Sequence, residues 1–255
     1  MDNKTLHIIN RGNFQQMSTI IIIQSRMDSK RLPGKVVMKI QGKTILEHIV
    51  NFSKFSKLAD KIIIATTSLP EDDKIANLAT KLGIDCYRGN PNDVLERYYE
   101  CAKLFKGDLI IRLTGDNPLI DPALVDEVIQ ICKETGCDYA SNMIHQTYPL
   151  GYLVEAITFD TLKKINFSQK DPLSREHVTY HVRQNPQMYN IEEVFAPSEL
   201  ARPHWRLTID NIEDFHLISE IFSRLYESGS IIEYRRVVDL LDENKDLLKI
   251  NKKYH

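Results

Sequence analysis

The chain has no apolar run near the roughly 20 residues that a bilayer-spanning helix requires. Its first residues, MDNKTLHIINRGNFQQ, also lack the apolar core of a secretory signal. No surplus of positive charge is present either: 33 Lys and Arg against 35 Asp and Glu leave a net charge of −2. That argues against a general nucleic-acid binder, whose affinity for a phosphate backbone rests on excess Lys and Arg. Cysteine is sparse, and Cys86, Cys101, Cys132 and Cys137 show no C-x-x-C spacing, so zinc and thioredoxin-like sites are not expected. They read as reduced, mostly buried thiols of a cytoplasmic protein. Between Gln24 and Gly42 there is no G-x-x-x-x-G-K-[ST] and no G-x-G-x-x-G. The P-loop NTPase and dinucleotide-binding readings therefore lose their main support. Internal repeats and low-complexity tracts are absent.

What is present begins with Ile20 to Lys35, IIIIQSRMDSKRLPGK. Four isoleucines favour a strand buried on both faces, as in a parallel sheet covered by helices. The run breaks into a loop that sets Arg26, Lys30, Arg31 and Lys35 against one acid, Asp28. Ligands of such sheets gather at the carboxyl ends of the strands. Pro33 stiffens the turn and Gly34 removes a side chain, so backbone N–H groups can approach phosphate oxygens while Arg26 and Lys35 supply charge. The loop suggests a nucleoside triphosphate. A solvated basic loop without a ligand is the alternative.

Downstream, short apolar runs alternate with longer amphipathic stretches. Strands are expected at Ile20–Gln24, Ile62–Thr66, Leu109–Leu113, Tyr152–Phe159, Ile191–Phe195 and Arg206–Ile209. Helices are expected at Thr44–Ser56, Asp72–Leu82, Asp93–Phe105, Pro122–Glu134, Leu173–Gln184, Glu213–Tyr226 and Tyr234–Asp242. The alternation predicts an α/β sandwich with a mostly parallel sheet. A chain of 255 residues, 42% hydrophobic, suits one large core with a small appendage. The rhythm breaks between Ile144 and Pro203, where Pro149, Pro172, Pro186 and Pro197 suggest an inserted lobe at about 144–203.

Two acids stand at ends of strand-like runs. Asp116 follows LIIRL through a Thr114-Gly115 turn, and magnesium commonly takes one or two carboxylates together with substrate phosphates. Asp116 also reads as a turn former before Pro118. Asp210 ends HWRLTID; Asp210 or Asn211 also reads as a helix N-cap with Asp214 as capping-box partner.

The run Q-S-R-M-D-S-K-R-L-P-G-K resembles the A-R-x-x-S-x-R-L-P-G-K signature of the cytidylyltransferases that activate sialic acids, other nonulosonic acids and 3-deoxy-manno-octulosonic acid. It looks closest to the spore-coat polysaccharide biosynthesis branch. The likeness continues in order through ATTSLPEDDKIA, YRGNPNDVLERY, RLTGDNPLIDP, SNMIHQTYPLG, SREHVTYHVRQNP and RLTID, over about residues 17 to 240. It implies a Rossmann-like three-layer sandwich of the nucleotide-diphospho-sugar transferase type, with residues 17–255 as one domain. Residues 1–16 become a flexible extension. The lobe at 144–203 would pack on a second subunit of a homodimer.

The same resemblance implies transfer of CMP from CTP to an acceptor with loss of pyrophosphate. Asp116 and Asp210 would hold Mg²⁺, with Arg26 and Lys35 as the other catalytic residues and Arg31 assisting. Gln24, Ser25, Gly34, Thr66, Ser68, Arg88 and Thr114 would complete the nucleotide site. Thr66 and Ser68 also read as loop caps, and Arg88 as a surface salt-bridge partner. Tyr148, Glu155, Arg175, His177 and Arg206 would line the pocket of an acidic sugar or related acceptor. Against that, Arg175-Glu176-His177 also reads as a solvated helical turn, and Trp205 as interface or core packing. The chain departs from the acid-sugar members at Leu153, where their G-x-D-x-E pattern carries an acid. Gln24 and Thr114 likewise stand where other branches have Ala and Gln.

Three other functions remain open at this point. A glycosyltransferase would want a D-x-D motif, whereas Gly115-Asp116-Asn117 offers one acid. A pyrophosphorylase would act on a sugar 1-phosphate, and a non-catalytic scaffold would not need two separated acids beside a cationic loop.

Overall fold

The computed structural model describes residues 17–254; the expected extension at 1–16 lies outside the described residues. In chain order the strands are β1 (Thr19–Gln24), β2 (Lys39–Ile40), β3 (Lys43–Thr44), β4 (Lys61–Thr67), β5 (Asp85–Gly89), β6 (Leu109–Thr114), β7 (Tyr139–Ser141), β8 (Glu155–Thr158) and β9 (Ile191–Glu193). The α-helices are α1 (Ile45–Ser53), α2 (Asp73–Leu82), α3 (Val94–Leu104), α4 (Pro122–Thr135), α5 (Phe159–Ser168), α6 (Pro172–His177), α7 (Tyr180–Gln184), α8 (Ile212–Leu225) and α9 (Tyr234–Glu243). No helix among the described residues is long and apolar enough to cross a membrane.

β1 is the spine of the fold. It pairs in parallel with β4 on one side and β6 on the other, within a seven-stranded sheet of order β5-β4-β1-β6-β8-β7-β9. Its isoleucines divide between the two faces: Ile21 and Ile23 pack with α1, α2, α4, α8 and α9, while Ile20 and Ile22 pack with α3, α5 and α7. All four are buried, each contributing about 1.5–3 kcal/mol of hydrophobic stabilisation. The result is the expected α/β sandwich with a mostly parallel sheet. Only β8 runs against its neighbours β6 and β7. The four cysteines are free, and three are buried.

Several local expectations change. The polar strand β5 and the three-residue β7 carry no clear apolar pattern, and both depend on pairing within the sheet. Arg206–Ile209 is extended but forms no ladder; a single bridge joins Leu150 to Arg206. The expected helix at 173–184 divides into α6 and α7 at Val178, a β-branched residue with φ 46°, where a helix cannot continue. Segment 144–203 supplies β8 and β9 to the central sheet. Trp205 is buried in the main core.

Glu155 requires a correction. Expected in an acceptor pocket, it is fully buried, opposite Arg112 in the antiparallel register of β6 and β8. One carboxylate oxygen accepts from Tyr139 Oη (2.6 Å) and Thr179 Oγ1 (2.5 Å), and the other pairs with Arg112 Nη1. Burial pushes this carboxyl up, but Arg112 and the two hydroxyl donors outweigh it and hold it below the ordinary glutamate value. Glu155→Gln should therefore destabilise the protein by about 3–5 kcal/mol at neutral pH, because it strands a buried guanidinium. A depressed carboxyl stabilises the fold above its unfolded pKa and loses that contribution as pH falls through its folded pKa. The gap between wild type and variant should hold down to about pH 4.3 and close below it. Urea melts across pH test this, and equal midpoints at pH 7 would refute it.

Candidate active site

The site is assembled at the carboxyl ends of β1, β4 and β6. After Gln24 the chain leaves the sheet, with Ser25 N–H still donating to Ala65 O at 3.0 Å. The basic loop that follows closes on itself through Gly34 N–H to Met27 O (2.9 Å). Gly34 has φ 71°, a conformation that disfavours residues with a Cβ. Asp72 anchors the loop from the end of β4: it is almost wholly buried and accepts from Met27 N–H (2.7 Å), Thr67 N–H (3.2 Å) and the Thr67 hydroxyl. Its sequence signal, an acid in P-E-D-D at a helix start, indicates no more than capping.

Asp116 arrives from β6. Gly115 N–H donates to Gln24 O at 2.8 Å, and a Cβ there would lie 2.9 Å from Ser25 Oγ and 3.1 Å from Gln24 O, so glycine lets this turn close against β1 without displacing either. Thr114 Oγ1 donates to Asp116 Oδ1 (2.6 Å) and fixes the carboxylate. Asp210 arrives from the far end of the chain, where Ile209 N–H donates to Asp116 O at 2.9 Å. Asn211, not Asp210, is the N-cap of α8, with Asp214 completing the capping box. The N-cap reading of this junction thus holds at Asn211, and Asp210 is left to face the cleft cations.

Lys35 joins the two acids. Its Nζ lies 2.9 Å from Asp116 Oδ2, 3.0 Å from Asp210 Oδ1 and 2.7 Å from Ile209 O, and the residue is only 7% exposed. Asp210 also pairs with Arg31 (2.8 Å) and Arg206 (2.6 Å). Burial raises the Asp210 carboxyl, but Lys35 first, then Arg206 and Arg31, hold it below its ordinary value. Gln24, Ser25, Arg26, Thr114 and His177 line the same cleft, of about 380 Å³. Arg26 reaches across it to Glu176 at 3.4 Å.

Other expected residues lie elsewhere. Thr66 is fully buried beneath the end of β4, and Ser68 N–H is spent on Gly89 O. Arg88 follows its surface reading: it pairs with Asp73 and donates to the carbonyls of Thr67 and Leu69. Tyr148 lines a separate cavity beside Tyr234. Arg175 clamps Asp93 and the Asn166 carbonyl, tying α6 to the start of α3, so it does not reach the cleft. Arg206 is spent on Asp210 and Asp214. Arg112, which was not singled out, lines the cleft floor. Its strand position was visible in the sequence, but the partner that orients it was not.

Comparison with known proteins agrees with this geometry. A family model described as cytidylyltransferase matches residues 20–251. The uncharacterized protein MJ1063 of Methanocaldococcus jannaschii is 38% identical over 235 residues, covering 92% of this chain and 95% of that protein. The spore coat polysaccharide biosynthesis protein SpsF of Bacillus subtilis is 34% identical over 232 residues, covering 89% and 95%. A solved structure of a cytidylyltransferase from Leptospira borgpetersenii superposes with a TM-score of 0.87 at 30% identity, over 94% of this chain and 100% of that one. With its basic loop and two acids at the strand ends, and a match that runs nearly end to end, the chain belongs to the cytidylyltransferase family.

Proposed function

We propose that the protein transfers CMP from CTP to an acidic sugar or a related hydroxy or phosphorylated acceptor, releasing pyrophosphate, in surface polysaccharide or glycoconjugate biosynthesis. The observation that carries this reading is the Lys35 ammonium held by Asp116 and Asp210 beside a cationic loop. An acceptor oxygen attacks the α-phosphorus, and pyrophosphate leaves in line. Such chemistry depends on positioning and charge neutralisation. Arg26, Arg31 and Lys35 supply positive charge for the triphosphate and the leaving pyrophosphate. Thr114 orients Asp116, and Arg206 orients Asp210.

The donor set fits Mg²⁺. Two carboxylates are near enough to share one cation, and among the described residues no cluster of three or more His, Cys, Asp or Glu could hold a metal. An ion of this kind takes few protein oxygens and completes its shell with water and phosphate. Asp116 and Asp210 would hold it, and when bound it would neutralise charge on the phosphate being transferred. We further assign a cytoplasmic location and a homodimer, the latter supported by the exposed apolar side chains Leu150, Leu173, Met188 and Phe195 within segment 144–203.

The test is pyrophosphate release with each of the four NTPs and Mg²⁺ against a panel of sugar acids and sugar phosphates. Release should require CTP and an anionic acceptor; release only with sugar 1-phosphates would replace this reading with a pyrophosphorylase. Asp116→Ala and Lys35→Ala should each lower kcat by about 10²–10³ or more, with far-UV circular dichroism unchanged. Wild-type turnover in Asp116→Ala would remove the metal assignment. Sedimentation should give twice the chain mass of 29.5 kDa.

A further inference from the structure

We infer that Arg112 is the anchor for the acceptor's oxyanion, a carboxylate or phosphate that lies against the free Nε–Nη2 edge of its guanidinium on the cleft floor. The inference rests on the cytidylyl-transfer reading and names the acceptor side of that same site.

Arg112 projects from β6 into the cleft, two residues before Thr114, with its side chain 11% exposed. Of its three nitrogens, Nη1 is spent on Glu155. Nε is buried and has no hydrogen-bond partner. Nη2 makes no hydrogen bond among the described residues. These two nitrogens form one edge of the planar group. Their parallel donors match the two oxygens of a carboxylate or phosphate.

The guanidinium is held in place from behind. Glu155 fixes Nη1, and Tyr139 and Thr179 fix Glu155, so each carboxylate oxygen is engaged. A buried donor left unsatisfied is costly, and native structures rarely keep one without a use. Gln24 is adjacent in the parallel register, where Gln24 faces Thr114 and Ile22 faces Arg112, and its Oε1 is likewise buried and unpartnered. The floor therefore offers a fork of donors with one neutral acceptor beside it. That suits an oxyanion flanked by a hydroxyl.

Position separates this group from the nucleotide. The triphosphate charge is met by Arg26, Arg31 and Lys35 on the loop after β1. Arg112 instead lies on β6, between β1 and β8. Asp116 follows the same strand, at the end of β6.

Two altered proteins test this. Arg112→Lys keeps a cation for Glu155 but lacks the fork, and the double variant Arg112→Met/Glu155→Gln removes the buried pair together, so neither charge is stranded. The nucleotide site is filled with α,β-methylene-CTP, which cannot release pyrophosphate. Binding of 3-deoxy-manno-octulosonate and, separately, ribitol 5-phosphate is then followed by saturation-transfer NMR. Wild type should bind at least one probe, and the one bound distinguishes carboxylate from phosphate. Both variants should bind it about 30-fold or more weaker, with affinity for the CTP analogue unchanged. Equal probe binding by wild type and variants, or binding of neither probe by wild type, would overturn the inference and leave cytidylyl transfer standing. Failure of the analogue itself to bind would overturn that reading and this inference with it.

Discussion

One ammonium group organises the active end of the molecule. Lys35 is 81 residues from Asp116 and 175 from Asp210, yet its Nζ lies within 3.0 Å of both carboxylates. Two acids that close would repel strongly in a partly buried cleft. A cation between them is the condition for their convergence. Every element that places these three residues is then under constraint: β1 must end where the loop begins, Gly115 must pack against β1, and the extended segment before Asp210 must bond to Asp116 O. The fold brings them together at one end of the sheet, beside the basic loop.

Much of the scaffold was legible because its signals are local. The isoleucines of β1, the helix starts expected at Thr44, Asp93 and Pro122, and the turn at Thr114-Gly115 follow from the propensities of the residues themselves. Less legible were features created by pairing. β5 reads as polar loop until β4 is beside it. The 173–184 stretch looks helical throughout until Val178 adopts φ 46° to divide it.

The same distinction explains the site residues. Arg26, Lys35, Asp116 and Asp210 end strand-like runs or stand in the loop after one, so their place is set by their own segment. Glu155, Arg175 and Arg88 are polar residues whose roles depend on a partner distant in sequence. Glu155 turns inward because Arg112, 43 residues earlier, is opposite it in the sheet. Arg175 turns away because Asp93, 82 residues earlier, offers it both carboxylate oxygens. A motif identifies a residue; it does not say which competing charge will claim it.

The competition extends to the two acids themselves. Asp116 has one oxygen on the Thr114 hydroxyl and the other on Lys35. Asp210 has one on Lys35 and Arg31 and the other on Arg206. No carboxylate oxygen of the pair is idle, so under the proposed reading a divalent ion would share these oxygens with the protein's cations or displace one of them. A triphosphate would ease that exchange, because its oxygens can accept from Lys35 and Arg31. Under the proposed reading the protein's cations therefore serve two partners, the acids and the nucleotide. The charge that holds the two acids together would be the same charge that receives the triphosphate.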